Sequence, residues 1–170
     1  MAKIQRLQGL AAVSSAQARV LVLGSMPGAI SLQQQQYYAH PRNSFWPIMA
    51  NLAGFSADLA YPERLTVLLN AGVAIWDVIG YCQRQGSLDT AIKNEQVNDF
   101  ASFFSQHPKL QVIAFNGAKA AQSFKRHVLP LQIMPTNITL IKLPSTSPAY
   151  AALSLQGKLK QWQQLKNFIY

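Results

Sequence analysis

Three short stretches of this chain combine residue types that can do chemistry. Gly24-Ser-Met-Pro-Gly28 packs two glycines and a proline into five residues directly after an apolar run. Such a sequence makes either a plain tight turn or a concave set of backbone N–H donors for a phosphate or developing anion, with Ser25 adding a hydroxyl and Gly28 allowing close approach. Pro144-Ser-Thr-Ser-Pro148 holds Ser145, Thr146 and Ser147 between two prolines. Those hydroxyls suit turn capping, or an uncharged clamp on a nucleic-acid phosphate. Between these stretches, Tyr37-Tyr-Ala-His-Pro-Arg-Asn-Ser-Phe-Trp46 mixes rings with an amide and an imidazole. A ring left at a site mouth can stack on a base taken out of a duplex, an interaction worth about 1–3 kcal/mol. Trp46 is expected in the core instead. Asn43 has no useful pKa, yet its carbonyl oxygen can hold a water, and its amide can pair with a base edge through donor and acceptor together. Asn116, before Gly117, offers a second amide. His40 reads as a structural or phosphate-contacting residue before it reads as a proton donor. His107 and His127 fall at helix ends and are expected on the surface, and Cys82 has no matched His and Asp to make it a nucleophile.

These residues need elements to position them. Arg19 to Gly24, Val73 to Ile79, Leu110 to Phe115 and Ile138 to Leu143 are apolar, β-branched runs that suit strands buried on both faces. Helical spacing or capping predicts helices starting near residue 45 with Ser44 as N-cap, and over 62–69, 97–106, 118–128 and about 154–168. Residues 80–95 are expected to be an irregular connection, and Gln33 to Gln36 a solvated loop. Strands alternating with helices imply a parallel sheet covered on both faces, whose ligands bind outside the carboxyl ends of the strands. Three of the four strands run straight into one of the loops above.

The chain has 170 residues, enough for a single domain over 1–170, and 15 Lys+Arg against 6 Asp+Glu give a formal charge of +9. A polyanion is therefore a natural partner. One cysteine excludes an internal disulfide, a zinc ribbon or a four-thiolate cluster, and no metal or cofactor is expected. The absence of a long apolar run and of a signal-peptide core makes a soluble, cytoplasmic protein with no membrane contact the expectation.

With the motifs in place, the chain resembles the uracil-DNA glycosylase superfamily. The resemblance is carried by Gly24-Ser-Met-Pro-Gly28, Ser31-Leu32, Gln36-Tyr-Tyr-Ala-His-Pro-Arg-Asn43, Phe45-Trp46 and Leu143-Pro-Ser-Thr-Ser-Pro-Ala149. Trp76-Asp-Val78, Gly86-Ser-Leu-Asp89 and Phe115-Asn-Gly117 make it similar to the sixth family, the hypoxanthine-DNA glycosylases. It implies an α/β fold, a three-layer α/β/α sandwich on a four-stranded parallel sheet of order 2-1-3-4. It also implies a monofunctional, cofactor-free enzyme that flips a deaminated base out of DNA and hydrolyses its N-glycosidic bond, leaving an abasic site; a monomer is a separate expectation. Hypoxanthine from deoxyinosine is the first substrate on this resemblance. A mismatch-specific uracil or thymine glycosylase and a non-catalytic DNA-binding domain are the alternatives.

Asn43 is the catalytic position that the resemblance carries over, with Asn116 and Ser25 beside it. Phe45 matches the ring beneath the extruded base, and Tyr38 and Asp77 are expected to touch that base. Gly28, His40, Ser145, Thr146 and Ser147 are expected on DNA phosphates. An amide of Asn116 or Asn43 could reject adenine, because the wrong edge leaves buried polar groups unpaired. All six acids lie between residues 58 and 99. The site is thus expected to be an uncharged amide and hydroxyl pocket in a cationic mouth, with most of the acidic segment facing away and Asp77 the one exception.

Overall fold

The computed structural model describes residues 5–170. The first four residues, at the start of the expected 1–170 domain and of the stretch read for a signal sequence, lie outside the described residues. In chain order the elements are β1 (Arg6–Gln8), β2 (Val20–Gly24), α1 (Ala29–Gln34), α2 (Phe45–Ala53), α3 (Tyr61–Asn70), β3 (Val73–Asp77) and β4 (Ile79–Gln83). They continue with β5 (Lys93–Val97), α4 (Phe100–Gln106), β6 (Val112–Asn116), α5 (Ala118–His127), β7 (Thr139–Leu143) and α6 (Leu155–Trp162).

The apolar runs form a four-stranded parallel sheet in the order β3-β2-β6-β7, the expected 2-1-3-4. Side chains alternate between its faces. Val20, Val22, Val73, Ile75, Val112 and Ala114 pack under Phe45, Trp46, Leu68 and Trp162 from α2, α3 and α6. Leu21, Leu23, Ala74, Ile113 and Phe115 pack on the other side under Phe100, Phe103, Phe104 and Phe124 from α4 and α5. A sheet with apolar residues on both faces needs cover on both, and the helices supply two layers that make three with the sheet.

Residues 80–95 are irregular only over 84–92, and both ends of the range are strand. After Asp77 the chain leaves the parallel sheet, because the Val78 and Ile79 N–H groups donate to Gly24 and Ser25 carbonyls at 2.8 and 3.0 Å. It continues as β4, which pairs antiparallel with β1 and β5 in a second sheet. The single predicted strand 73–79 is thus two strands in two sheets. The predicted helix 97–106 starts only at Phe100, where the Asp99 carboxylate caps the Ser102 N–H at 3.0 Å. Ser44 is the N-cap residue of the helix at 45, as expected, but its side chain makes no capping bond; the Asn43 Oδ1 accepts the Phe45 N–H at 2.9 Å instead. Gln33 and Gln34 are solvated, but they end α1 instead of lying in a loop.

His107 is a correction. It is buried, with its ring stacked on Phe103 at 3.8 Å and Nδ1 2.6 Å from the Phe103 carbonyl. The ring completes the aromatic layer over α4, which outweighs its place at a helix end. His127 is half-buried beside Glu95.

Trp162 ties the last helix to the chemistry. Its ring is fully buried against Phe45, and its Nε1–H donates to the Pro144 carbonyl at 2.9 Å, fixing the start of the Ser145–Ser147 loop. Trp162→Phe is expected to cost about 1–3 kcal/mol, from the lost bond and a small cavity. Urea denaturation checks it; no change in midpoint would mean that the loop is held elsewhere.

Candidate active site

The parallel register lines up the carboxyl ends of the strands. Gly24 sits opposite Asp77, Leu23 opposite Phe115, and Asn116 opposite Leu143. Over this row opens a cavity of about 1220 Å³, bordered by Gly24 to Ser31, Tyr38 to Asn43, Ser87 to Thr90, Asn116 and Pro144 to Tyr150. The three sequence stretches therefore meet at one place.

Asn43 lines the cavity. Its backbone N–H donates to the His40 carbonyl at 2.9 Å, and its Oδ1 accepts from Phe45. These bonds fix the amide plane and leave Nδ2 and the second Oδ1 lone pair for a ligand. Next to it, the Ser44 N–H donates to the Thr146 carbonyl at 2.9 Å. Thr146 in turn is clasped by Asn116, whose Nδ2 donates to Oγ1 and whose Oδ1 accepts the Thr146 N–H, both at 2.9 Å. Both amide atoms of Asn116 are thus engaged within the protein. That places Asn116 as a fastener between β6 and the Pro144–Pro148 loop, with one Nδ2 proton and one Oδ1 lone pair remaining on the cavity wall.

Thr146 is a correction, on the ground of burial. It is 1% exposed and its hydroxyl faces Asn116, so it cannot grip a phosphate. Ser145 and Ser147 are half-buried, and their Oγ atoms accept the N–H groups of Ser147 and Ala149 at 3.1 and 3.2 Å. Each keeps its O–H proton for an outside acceptor. Lys158, 4% exposed, donates to the Ser147 carbonyl at 3.2 Å and lies 5.4 Å from the ring of Tyr150 on the rim. His40 lines the cavity and uses Nδ1 to accept the Arg42 N–H at 3.1 Å, which leaves Nε2 to carry a proton outward.

Phe45 is not at the surface of the cavity. It is fully buried, with Tyr38 stacked on it at 3.9 Å and 23°. Phe45 begins a core helix, so its ring joins the core, and Tyr38, stacked on it, is the ring of this pair that meets the cavity. Tyr38 stands in the left-handed region at φ 55, and its hydroxyl is buried with no partner. Burial, and then the Asp77 carboxyl, push its pKa well above the ordinary phenol value.

The Gly24–Gly28 turn departs most from expectation. The Ser25 hydroxyl donates to Asp89 Oδ1 at 2.6 Å, and the Ala29 N–H donates to Ser87 Oγ at 2.9 Å. The Pro27 carbonyl accepts from Arg84, a buried residue whose guanidinium also holds the Gly86 carbonyl. Asp77 and Asp89 both stand on the cavity wall, and the Ser25 hydroxyl is spent on Asp89, while Gly28 borders the cavity beside Ser87. Gly24 is compelled here: a Cβ would lie 2.5 Å from Asp77 Oδ1.

Asp89, Ser87 and Arg84 belong to the site and were missed as site residues. Asp89 stood in a matched motif, but the charge count directed the acidic segment away from DNA. The pairing of β4 with β1 and β5 brings that segment back. Among the described residues, no three His, Cys, Asp or Glu side chains gather as a metal site, and no helix is long and apolar enough to cross a membrane.

A doubly covered parallel sheet, with a ring, an oriented amide and two carboxylates at its carboxyl ends and Arg42, Lys119 and Lys142 beside them, is a nucleic-acid-directed α/β hydrolase in design. Residues 11–166 match the Uracil DNA glycosylase superfamily, and the chain belongs to it. It is 38% identical over 116 residues to a hypoxanthine DNA glycosylase of Methanosarcina acetivorans, covering 68% of this chain and 73% of that protein. A hypoxanthine DNA glycosylase of Methanosarcina barkeri is 35% identical over the same shares. The solution NMR structure of a Methanosarcina acetivorans protein, provisionally assigned as a uracil DNA glycosylase, superposes with a TM-score of 0.81 at 31% identity, over 95% of this chain and 97% of that one.

Proposed function

We propose that the protein is a DNA glycosylase that removes hypoxanthine from deoxyinosine and leaves an abasic site. The observation that carries this reading is the link from Ser44 through Thr146 to Asn116, which seats the Asn43 amide in the cavity between two loops of a glycosylase fold. Cleavage through an oxocarbenium-like state needs a stabilised leaving base more than a strong nucleophile, so a water held by Asn43 Oδ1 suffices for attack at C1′. Tyr38 provides the ring on which a flipped base stacks, or turns aside so that the base reaches Phe45. His40, Ser145 and Ser147 donate to the phosphates, and Arg42, Lys119 and Lys142 attract the duplex.

The test is single-turnover excision on duplexes carrying inosine, uracil, thymine or xanthine. Inosine is expected to be cut fastest. Faster uracil or thymine excision would move the assignment to a mismatch-specific enzyme. Salt-dependent binding with no abasic product on any of them would leave a DNA-binding domain.

A further inference from the structure

Asp77 has no task in the mechanism above, yet it stands at the centre of the site. It is 4% exposed, it borders the cavity at the end of β3, and its Oδ2 has no hydrogen-bond partner. The neighbouring Tyr38 hydroxyl is likewise buried without a partner. Among the described residues no lysine or arginine lies within ion-pair distance of Asp77. Two buried polar groups left unsatisfied on a cavity wall call for a partner, and a ligand entering that cavity would supply one.

We propose that Asp77 is the general acid of the reaction: its neutral carboxyl donates a hydrogen bond, and then its proton, to an acceptor nitrogen of the extruded purine as the glycosidic bond breaks. This rests on the glycosylase reading of the same site. The C1′–N9 bond breaks and its electron pair stays with the base. The Asp77 proton goes to a ring nitrogen of that base, which leaves as neutral hypoxanthine. Water adds to C1′, and the proton it sheds restores the carboxyl. One water is consumed and Asp77 is unchanged.

The surroundings favour a protonated carboxyl. Asp89 faces Asp77 from the turn after β4 and is held in place by Ser25. Tyr37 and Tyr38 face it from the loop after α1 and bring no positive charge, while Asn98, ahead of α4, donates only to the Asp77 backbone carbonyl at 2.7 Å. Arg84 is the one cation close enough to oppose the effect. Burial first and Asp89 second push the Asp77 pKa up to about 7, against the pull of Arg84. An acid poised there is protonated in a useful fraction near neutrality and can still part with its proton.

The experiment is single-turnover deoxyinosine excision by the wild type, Asp77→Asn and Asp89→Asn between pH 5.5 and 9. The wild-type rate is expected to fall about tenfold per pH unit above its midpoint. Asp77→Asn is expected to be at least tenfold slower at pH 6 and level with pH, converging on the wild type at the alkaline end. Asp89→Asn removes the neighbouring charge, and its descending limb should move to lower pH. A wild-type rate that is level or rises through this range overturns the proposal, and the rise would mean that an ionised Asp77 accepts the N1–H of hypoxanthine. A descending limb that survives in Asp77→Asn also overturns it. No inosine excision by the wild type at any pH would instead strike at the glycosylase reading.

Discussion

Asn43→Ala is expected to lower single-turnover excision of deoxyinosine by about 10²–10³-fold, the scale on which enzymes lose a single preorganised polar group at the reacting centre. The amide is oriented before substrate arrives, because its Oδ1 accepts the Phe45 N–H and its own N–H is held by His40. Alanine removes the water-holding oxygen. It also removes a helix cap, at a cost of about 1 kcal/mol. Asn43→Asp keeps an acceptor for both the Phe45 N–H and the water, so it should keep the cap and recover part of the rate. A loss of only a few-fold in Asn43→Ala, with the protein folded, would take the water from Asn43 and give it to another group.

Asn116→Ala should act by a different route. It strands the buried Thr146 N–H and hydroxyl together, so a stability loss of about 2–4 kcal/mol is expected in denaturant titration. Excision should fall at least tenfold as well, since the Thr146 carbonyl holds the Ser44 N–H and the position of Asn43 follows from it. The preference for inosine over adenine should be unchanged, because the two bonds of the Asn116 amide to Thr146 make it a fastener of the loop. If that preference collapses while stability holds, Asn116 reads the base after all. Asn116→Asp keeps an acceptor for the Thr146 N–H and should fall between the two.

The sheet was legible in the sequence because its strands are short apolar runs, each closed by a loop of distinctive composition. The second sheet was not. Lys93-Asn-Glu-Gln-Val97 is a polar strand with little burial and no alternation to reveal it, and it pairs only because β4 peels away from the parallel sheet at Val78. In the site, the motifs identified the loops but not the duties of neighbouring side chains. Ser145, Thr146 and Ser147 are chemically alike, and only the reach of Asn116 decides which one is locked inward. Tyr38 and Phe45 are both rings in one motif, and it takes the left-handed turn at Tyr38 to lay one over the other. The acids needed tertiary information most of all. Asp89 lies 64 positions from Ser25, the residue it contacts.

Gly24 and Asp77 face each other across two neighbouring strands with no room for a single added carbon between them. The two positions are therefore sterically coupled. A methyl group at residue 24 demands that the carboxylate at residue 77 move or shrink, which would dislodge it from beside Tyr38. The backbone of one strand thereby fixes where the carboxyl of its neighbour can stand, and Gly24→Ala is expected to displace the Asp77 side chain without touching it chemically.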